Sequence, residues 1–224
     1  MKKVKRKEKM MEKVDCAICP TQACRTPERD EGPNFCPTKT MKPAIEEALE
    51  RYRDPQVREF AQAASHIEAE GYCRWSRLEE TIRFCHRMRF HRIGIACCIG
   101  LIKEAKILRD ILVSNGLEVV SVVCKAGEIE KETIGLKDEE KIHPGSYEAM
   151  CNPIAQAFIL NNLKTDFNIV LGLCVGHDSL FLKHINSYTT VLVAKDRVLA
   201  HNPVGALYTS HGYYKKLLHL EGES

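Results

Sequence analysis

From His91 onward, short apolar runs alternate with amphipathic stretches. HRIGIACC is a compact apolar run, and GLIKEAKILRDILVSNG carries apolar positions at helical spacing before Gly116. LEVVSVVCK is rich in β-branched residues, NIVLGLC is a third apolar run, and TTVLVAK is a fourth. YEAMCNPIAQAFILNNLKT reads as largely helical, with Asn152 as its N-cap and Pro153 in the first turn. HDSLFLKHIN reads as a short helix. Strands alternating with helices predict an α/β fold: a three-layer parallel sheet of about four strands. Right-handed crossovers make 2-1-3-4 the expected strand order.

Upstream, residues 43–90 read as helices. Pro43 opens AIEEALERY. Asp54 caps a second helix with Pro55 at its first position, and that helix ends at Gly71. A third runs from about Ser76 to Met88, with Leu78, Ile82, Cys85 and Met88 on one stripe. Residues 15–42 differ. Four cysteines, four prolines and one glycine within 15–40 leave too few apolar side chains for a core. The expected division is a basic tail over 1–14, a four-cysteine metal-binding segment over 15–42, a helical segment over 43–90 and an α/β domain over 91–224.

Charge and composition narrow the classes. The net charge of +3 is local: residues 1–13 hold seven Lys/Arg and two Glu, and the remainder is close to neutral. Such a tail reads as a solvated end rather than a nucleic-acid arm. Residues 74–92 hold six arginines against two glutamates, which reads as a solvated face rather than an RNA-binding one. The longest uncharged apolar run, Ile93 to Ile102, is too short to span a bilayer. The N-terminus lacks the apolar core of a signal peptide. A cytoplasmic, reducing location follows as the expectation for eleven cysteines, with thiols that bind metal or react.

Two cysteine sets carry the candidate chemistry. Cys16, Cys19, Cys24 and Cys36 are spaced Cys-x2-Cys-x4-Cys-x11-Cys. Cys-x2-Cys lets two thiolates wrap one metal, and four thiolates complete a tetrahedral zinc site or hold an iron–sulfur cluster. Pro20 and Pro37 directly follow ligand candidates, which favours a cluster, [4Fe–4S] first, over zinc. The second set depends on the strands. Cys98, Cys124 and Cys174 end successive strands, and Cys151 precedes the helix leading into the third. In a parallel sheet these ends share one edge, next to the switch point where open α/β sheets bind ligands. A second cluster or metal at Cys98, Cys124, Cys151 and Cys174 is the expectation there. Cys97, pointing opposite to Cys98, and Cys85 read as core, and Cys73 as either.

His177 reads as a proton donor within reach of the thiols, and Asp178 as the N-cap of its helix or a third catalytic group beside Cys98 and His177. Lys195, Asp196, Arg197, His201 and Asn202 form a polar block after the fourth strand, read as a turn near the same edge. No strand-end cysteine has Arg six residues later, which opposes a cysteine phosphatase loop. Glycine-rich nucleotide loops are absent from the sequence.

The strings GIACCIGLIKEA, VVSVVCKAG, EAMCNPIAQA, GLCVGHDSLF and KDRVLAHNP, with the N-terminal cysteines, resemble a family of uncharacterised metal-binding proteins of bacteria and archaea, domain of unknown function 1847. The resemblance covers nearly the whole chain. It implies metal binding and names no reaction. The resulting expectation is a metal-binding, iron–sulfur protein with redox or sulfur-handling chemistry at the sheet edge. Its partners would be a metal ion or cluster and a small molecule or redox partner, without membrane or nucleic acid. The alternative is a zinc-stabilised, non-enzymatic binding or metal-handling protein.

Overall fold

The computed structural model describes residues 14–27 and 31–220. Apart from Val14, the basic tail lies outside the described residues. The chain divides into two compact units, one ending at Ser65 and the other beginning at His66.

In the first unit, 3-10 turns at Cys16–Ile18 and Ala23–Arg25 precede α1 (Pro37–Thr40) and α2 (Lys42–Arg51). Proline stands in the first turn of both helices, where its missing N–H has no intrahelical partner to lose. The next helix, α3 (Pro55–Gly71), starts as its sequence dictates: Asp54 Oδ1 accepts from Gln56 N at 2.8 Å and Val57 N at 3.2 Å.

In the second unit, Ser76 caps α4 (Arg77–Arg87) by accepting from Glu79 N. Then follow β1 (Arg92–Cys97), α5 (Ile102–Ser114), β2 (Glu118–Val123), α6 (Pro153–Asn162), β3 (Phe167–Leu171), α7 (His177–His184), β4 (Thr189–Val193) and α8 (Val204–Tyr208). The four strands form one parallel sheet in the order β2-β1-β3-β4. Right-handed crossovers running outward in opposite directions from β1 put α5 on one face and α6 with α7 on the other. The contacts agree: α5 meets β1 and β2, and α6 meets both strands and α7.

The central strands carry the core. Ile93, Ile95, Ile169 and Val170 are buried, each contributing roughly 1.5–3 kcal/mol. Phe84, Phe90 and Phe167 join α4 to the sheet, with Phe90 stacked on Phe167 at 5.6 Å. Cys85 and Cys97 are core residues, and burial pushes the Cys85 thiol up to about 12. Register sets the level of the site. Cys97 pairs with Val123 on one side and Leu171 on the other, so three strands finish in one row.

The helix after β2 starts where Asn152 and Pro153 predict, at Pro153 with Asn152 as its cap, and residues 147–151 belong to the loop before it, with Ala149 bridging Glu130. One local expectation needs correction. Asp178 does not cap α7. Gly176, at φ 82°, takes that place, and His177 and Asp178 already donate their N–H groups to Cys174 O. Glycine adopts this conformation without steric cost, so the helix is capped two residues earlier than a cap at Asp178 would place it.

Candidate functional site

The row of strand ends delivers its cysteines one after another. Cys98 follows β1 directly, and its N–H continues the ladder to Leu171 O at 3.1 Å. Cys124 follows β2, with its N–H on Cys97 O at 2.9 Å. Cys174 lies three residues beyond β3, past Gly172, whose positive φ of 69° turns the chain. Leu101, in the turn after Cys98, presses against Gly172. A Cβ there would sit 2.7 Å from Leu101 Cδ2. The turns holding Cys98 and Cys174 are thereby packed on one another.

Cys151 arrives from the loop between β2 and α6. Asn152 N donates to Cys124 O at 2.7 Å, while the Asn152 side chain caps α6 through Ala155 N at 3.0 Å. One residue thus starts the helix and fixes the loop to the end of β2. Lys125 Nζ bonds to Ala149 O and closes the loop from the other side.

Within this frame the sulfurs of Cys124 and Cys151 are neighbours, and their proton affinities are driven apart. Cys124 is 2% exposed. The neighbouring Cys151 sulfur together with burial holds its pKa far above the usual thiol range. Cys151 is half-buried, and its pKa is drawn down to about 5. The neighbouring Cys124 thiol is the main cause, with the Lys125 ammonium and His177 adding to it, against the cost of desolvation. Ile99 N also donates to Cys124 Sγ, at 3.4 Å, linking the Cys98 turn to this pair.

Cys98 and Cys174 flank the pair and are engaged by cations. Arg197 Nη2 donates to Cys174 Sγ at 3.1 Å, and Cys98 and Cys151 lie within electrostatic reach of the same guanidinium. A Cβ on Gly100 would meet both Lys195 Nζ, at 3.3 Å, and Cys98 Sγ, at 3.8 Å, so these two groups face a common space. His177 Nδ1 is buried and without a hydrogen-bond partner. The Asp178 carboxylate bonds to Ser179 N at 2.7 Å, on its own helix rather than on a cysteine.

Sequence reasoning treated Arg197 and Lys195 as members of a solvated turn and passed over Lys125. The signals were present: Lys125 adjoins Cys124, and Lys195 and Arg197 follow the fourth strand at the level of the other strand ends. Asp196 builds their turn by accepting from Val198 N and Leu199 N, and His201 Nδ1 accepts from Asp196 N.

In the first unit, Cys16, Cys19, Cys24 and Cys36 all line one small hollow, together with Pro33 and Phe35. Gln22 N donates to Cys19 Sγ at 3.4 Å and, with Thr21, holds that thiol below its ordinary value. Cys36 stands immediately before α1, and its carbonyl accepts from Lys39 N and Thr40 N. The donor set is that of a thiophilic metal. As placed, the described residues contain no group of three or more His, Cys, Asp or Glu closed around a single ion, here or at the sheet edge. No helix among the described residues is long and apolar enough to cross a membrane.

The chain is similar to a protein of Methanocaldococcus jannaschii described as "Uncharacterized protein MJ0455". The two are 49% identical over 177 residues, 79% of this chain and 89% of the relative. No solved structure matches the chain. Residues 36–192 match the family described as "Protein of unknown function (DUF1847)". That span contains β1 to β3, β4 as far as Leu192, the four edge cysteines and His177, and it begins at Cys36. It covers well over half of the sequence, and the chain therefore belongs to the DUF1847 family.

Proposed function

We propose that this protein is a cysteine redox protein: Cys124 and Cys151 form a dithiol that cycles with its disulfide, and the N-terminal cysteines hold a metal centre. The observation that carries the reading is that Cys124 and Cys151 stand side by side with their proton affinities driven apart, beside the Lys125 ammonium. Two thiols whose proton affinities are driven apart are suited to divided roles. The accessible thiolate attacks, and the buried thiol resolves the mixed disulfide. The Asn152–Cys124 backbone bond supports it further, because it holds the two chain segments side by side. His177 lies close enough to affect Cys151 electrostatically, which supports a role in protonating a departing thiolate. Cys98 and Cys174 are neighbouring thiols under the influence of Arg197.

Cys16, Cys19, Cys24 and Cys36 fit a zinc ion or an iron–sulfur cluster by donor type and by their shared hollow. A cluster bound there would supply one-electron chemistry and zinc would supply folding energy. The side chains themselves position the sulfurs, and Gln22 N stabilises the Cys19 thiolate.

The test is chemical. Reduced protein is incubated with excess organic disulfide, quenched by alkylation, digested and mapped by mass spectrometry. A Cys124–Cys151 disulfide is the expected product, and Cys151→Ser should abolish it. A pair that stays fully reduced overturns the redox reading.

A further inference from the structure

Around the thiol pair three side-chain cations converge, and among the described residues none of them is ion-paired with a carboxylate. Arg197, Lys195 and Lys125 all reach the row of strand ends, from the turn after β4 and from the end of β2. Among the described residues none of the three forms an ion pair. The two carboxylates on the adjoining turns are occupied by backbone N–H groups, Asp178 by Ser179 and Asp196 by Val198 and Leu199. The buried, unpartnered His177 Nδ1 adds an unused polar atom near Cys151. Val175 and Val198, 93% and 79% exposed, are apolar positions on the same two turns.

Asp178 and Asp196 turn their oxygens to backbone N–H groups, so the cations face the thiols without a carboxylate partner. Converging like charges raise the local concentration of anions and their rate of encounter. We propose that the sheet edge recognises an anionic substrate, a small organic disulfide whose carbon arms end in carboxylate or sulfonate groups. This rests on the redox reading above and names its substrate class. The anionic ends meet Arg197 and Lys195, and the carbon arms lie against Val175 and Val198. The Cys151 thiolate attacks one sulfur, forming a Cys151 mixed disulfide and releasing the first arm as a thiolate. The Cys124 sulfur then attacks Cys151, forming the protein disulfide and expelling the second arm, which leaves with the Cys124 proton. Two electrons pass from the dithiol to the substrate disulfide.

The test compares three disulfides of similar size on the full chain: dithiodiglycolate (anionic), bis(2-hydroxyethyl) disulfide (neutral) and cystamine (cationic). The readout is the rate of Cys124–Cys151 disulfide formation. At low salt the anionic probe should react about tenfold or more faster than the neutral one, and cystamine slowest. High salt should compress the ratios. Lys195→Gln and Arg197→Gln should each pull the anionic-to-neutral ratio toward one. Gly100→Ala, which adds a methyl between Lys195 and Cys98, should slow the anionic probe most. Equal rates for anionic and neutral probes would overturn the substrate class and leave the redox pair standing. An anionic preference surviving both charge removals overturns its assignment to these residues. Failure of all three probes overturns the redox reading and this proposal with it.

Discussion

The N–H of Asn152 donates to the carbonyl of Cys124 across 2.7 Å. That bond extends the β2 ladder by one rung into a loop and brings Cys151 beside Cys124. The same asparagine caps α6, so the start of the helix and the pairing of the thiols rest on one residue. Replacing Asn152 by Ala keeps the backbone bond and removes the cap. The expected loss of stability is about 1 kcal/mol, with Cys151 still beside Cys124. Chemical denaturation and the alkylation rate of Cys151 measure the two effects separately.

The thiol pair should leave a bell-shaped mark on stability against pH. Cys151 is depressed to about 5 and Cys124 is raised above the ordinary thiol value of 9.0. Between about 5 and 9 the folded pair holds one proton and the unfolded pair two, so stability from this source rises with pH. Above 9 the unfolded pair loses both protons while the folded pair keeps one, and the contribution falls. The curve for the native chain minus that for a Cys124→Ala, Cys151→Ala double variant should peak near the ordinary thiol pKa. A flat difference curve contradicts the assignment. In the native chain, iodoacetamide labelling of Cys151 should persist to mildly acidic pH, and Cys124→Ala should shift that profile upward.

Lys141 organises the loop that carries Cys151. Its side chain is 4% exposed and bonds to Glu132, Asp138 and the carbonyl of Ser146. Nearby, Lys131 pairs with Glu148, whose carboxylate also accepts from Ile142 N and His143 N. Lys141→Met should speed hydrogen exchange over residues 131–148 and leave β1 and β3 protected. The Lys141 ammonium holds Glu132 and Asp138 below their ordinary values. Their contribution is therefore present above the carboxylate range and lost as pH falls through the depressed pKa values. Relative to the intrinsic exchange rate, loop exchange should accelerate in that acidic window more in the native chain than in the variant, where only the Lys131–Glu148 pair remains to titrate.

Strand order and the row of strand-end cysteines were legible because β-branched runs and right-handed crossovers admit few arrangements. Cys85 and Cys97 declared themselves as core by their place on an apolar stripe and on the inward face of a strand. The divided proton affinities of Cys124 and Cys151 were not legible. They depend on a loop of 3-10 turns without apolar periodicity, held by Lys141, a lysine that nothing local marks as buried. The cap of α7 was misassigned for a related reason: a glycine with positive φ competes with an aspartate side chain, and sequence alone ranks the aspartate first.

Gly172 is the position where backbone and packing both forbid a side chain. It turns at φ 69°, and an added Cβ would approach Leu101 Cδ2 to 2.7 Å. Strain and overlap together should cost roughly 2–4 kcal/mol in Gly172→Ala. Gly116 provides the control. It has φ 79° with nothing within 4 Å of its would-be Cβ, so Gly116→Ala should cost about 1–2 kcal/mol. Denaturation midpoints rank the two. Because Leu101 and Gly172 hold the Cys98 and Cys174 turns together, Gly172→Ala should also increase alkylation of Cys98.

The N-terminal segment should be ordered by what its cysteines bind. Its described residues offer little core: Cys16, Cys24 and Ile18 are exposed, and Ala23 is the buried apolar residue of the two turns. A segment so poor in burial needs a covalent or coordinate staple. Anaerobically purified protein is expected to carry one metal centre per chain at Cys16, Cys19, Cys24 and Cys36. Brown protein with iron and acid-labile sulfide indicates a cluster, and colourless protein with zinc indicates a structural ion. Cys19→Ser should lower bound metal several-fold and expose the segment to proteolysis. It should leave the unfolding transition of the sheet and the alkylation profile of Cys151 unchanged. Chelation of the native protein should reproduce the same pattern without any mutation, because a metal bound there would supply folding free energy to that segment. Undiminished metal content in Cys19→Ser removes the cysteine from the site. A Cys151 profile that shifts on chelation and not in Cys19→Ser would place the metal at the sheet edge instead.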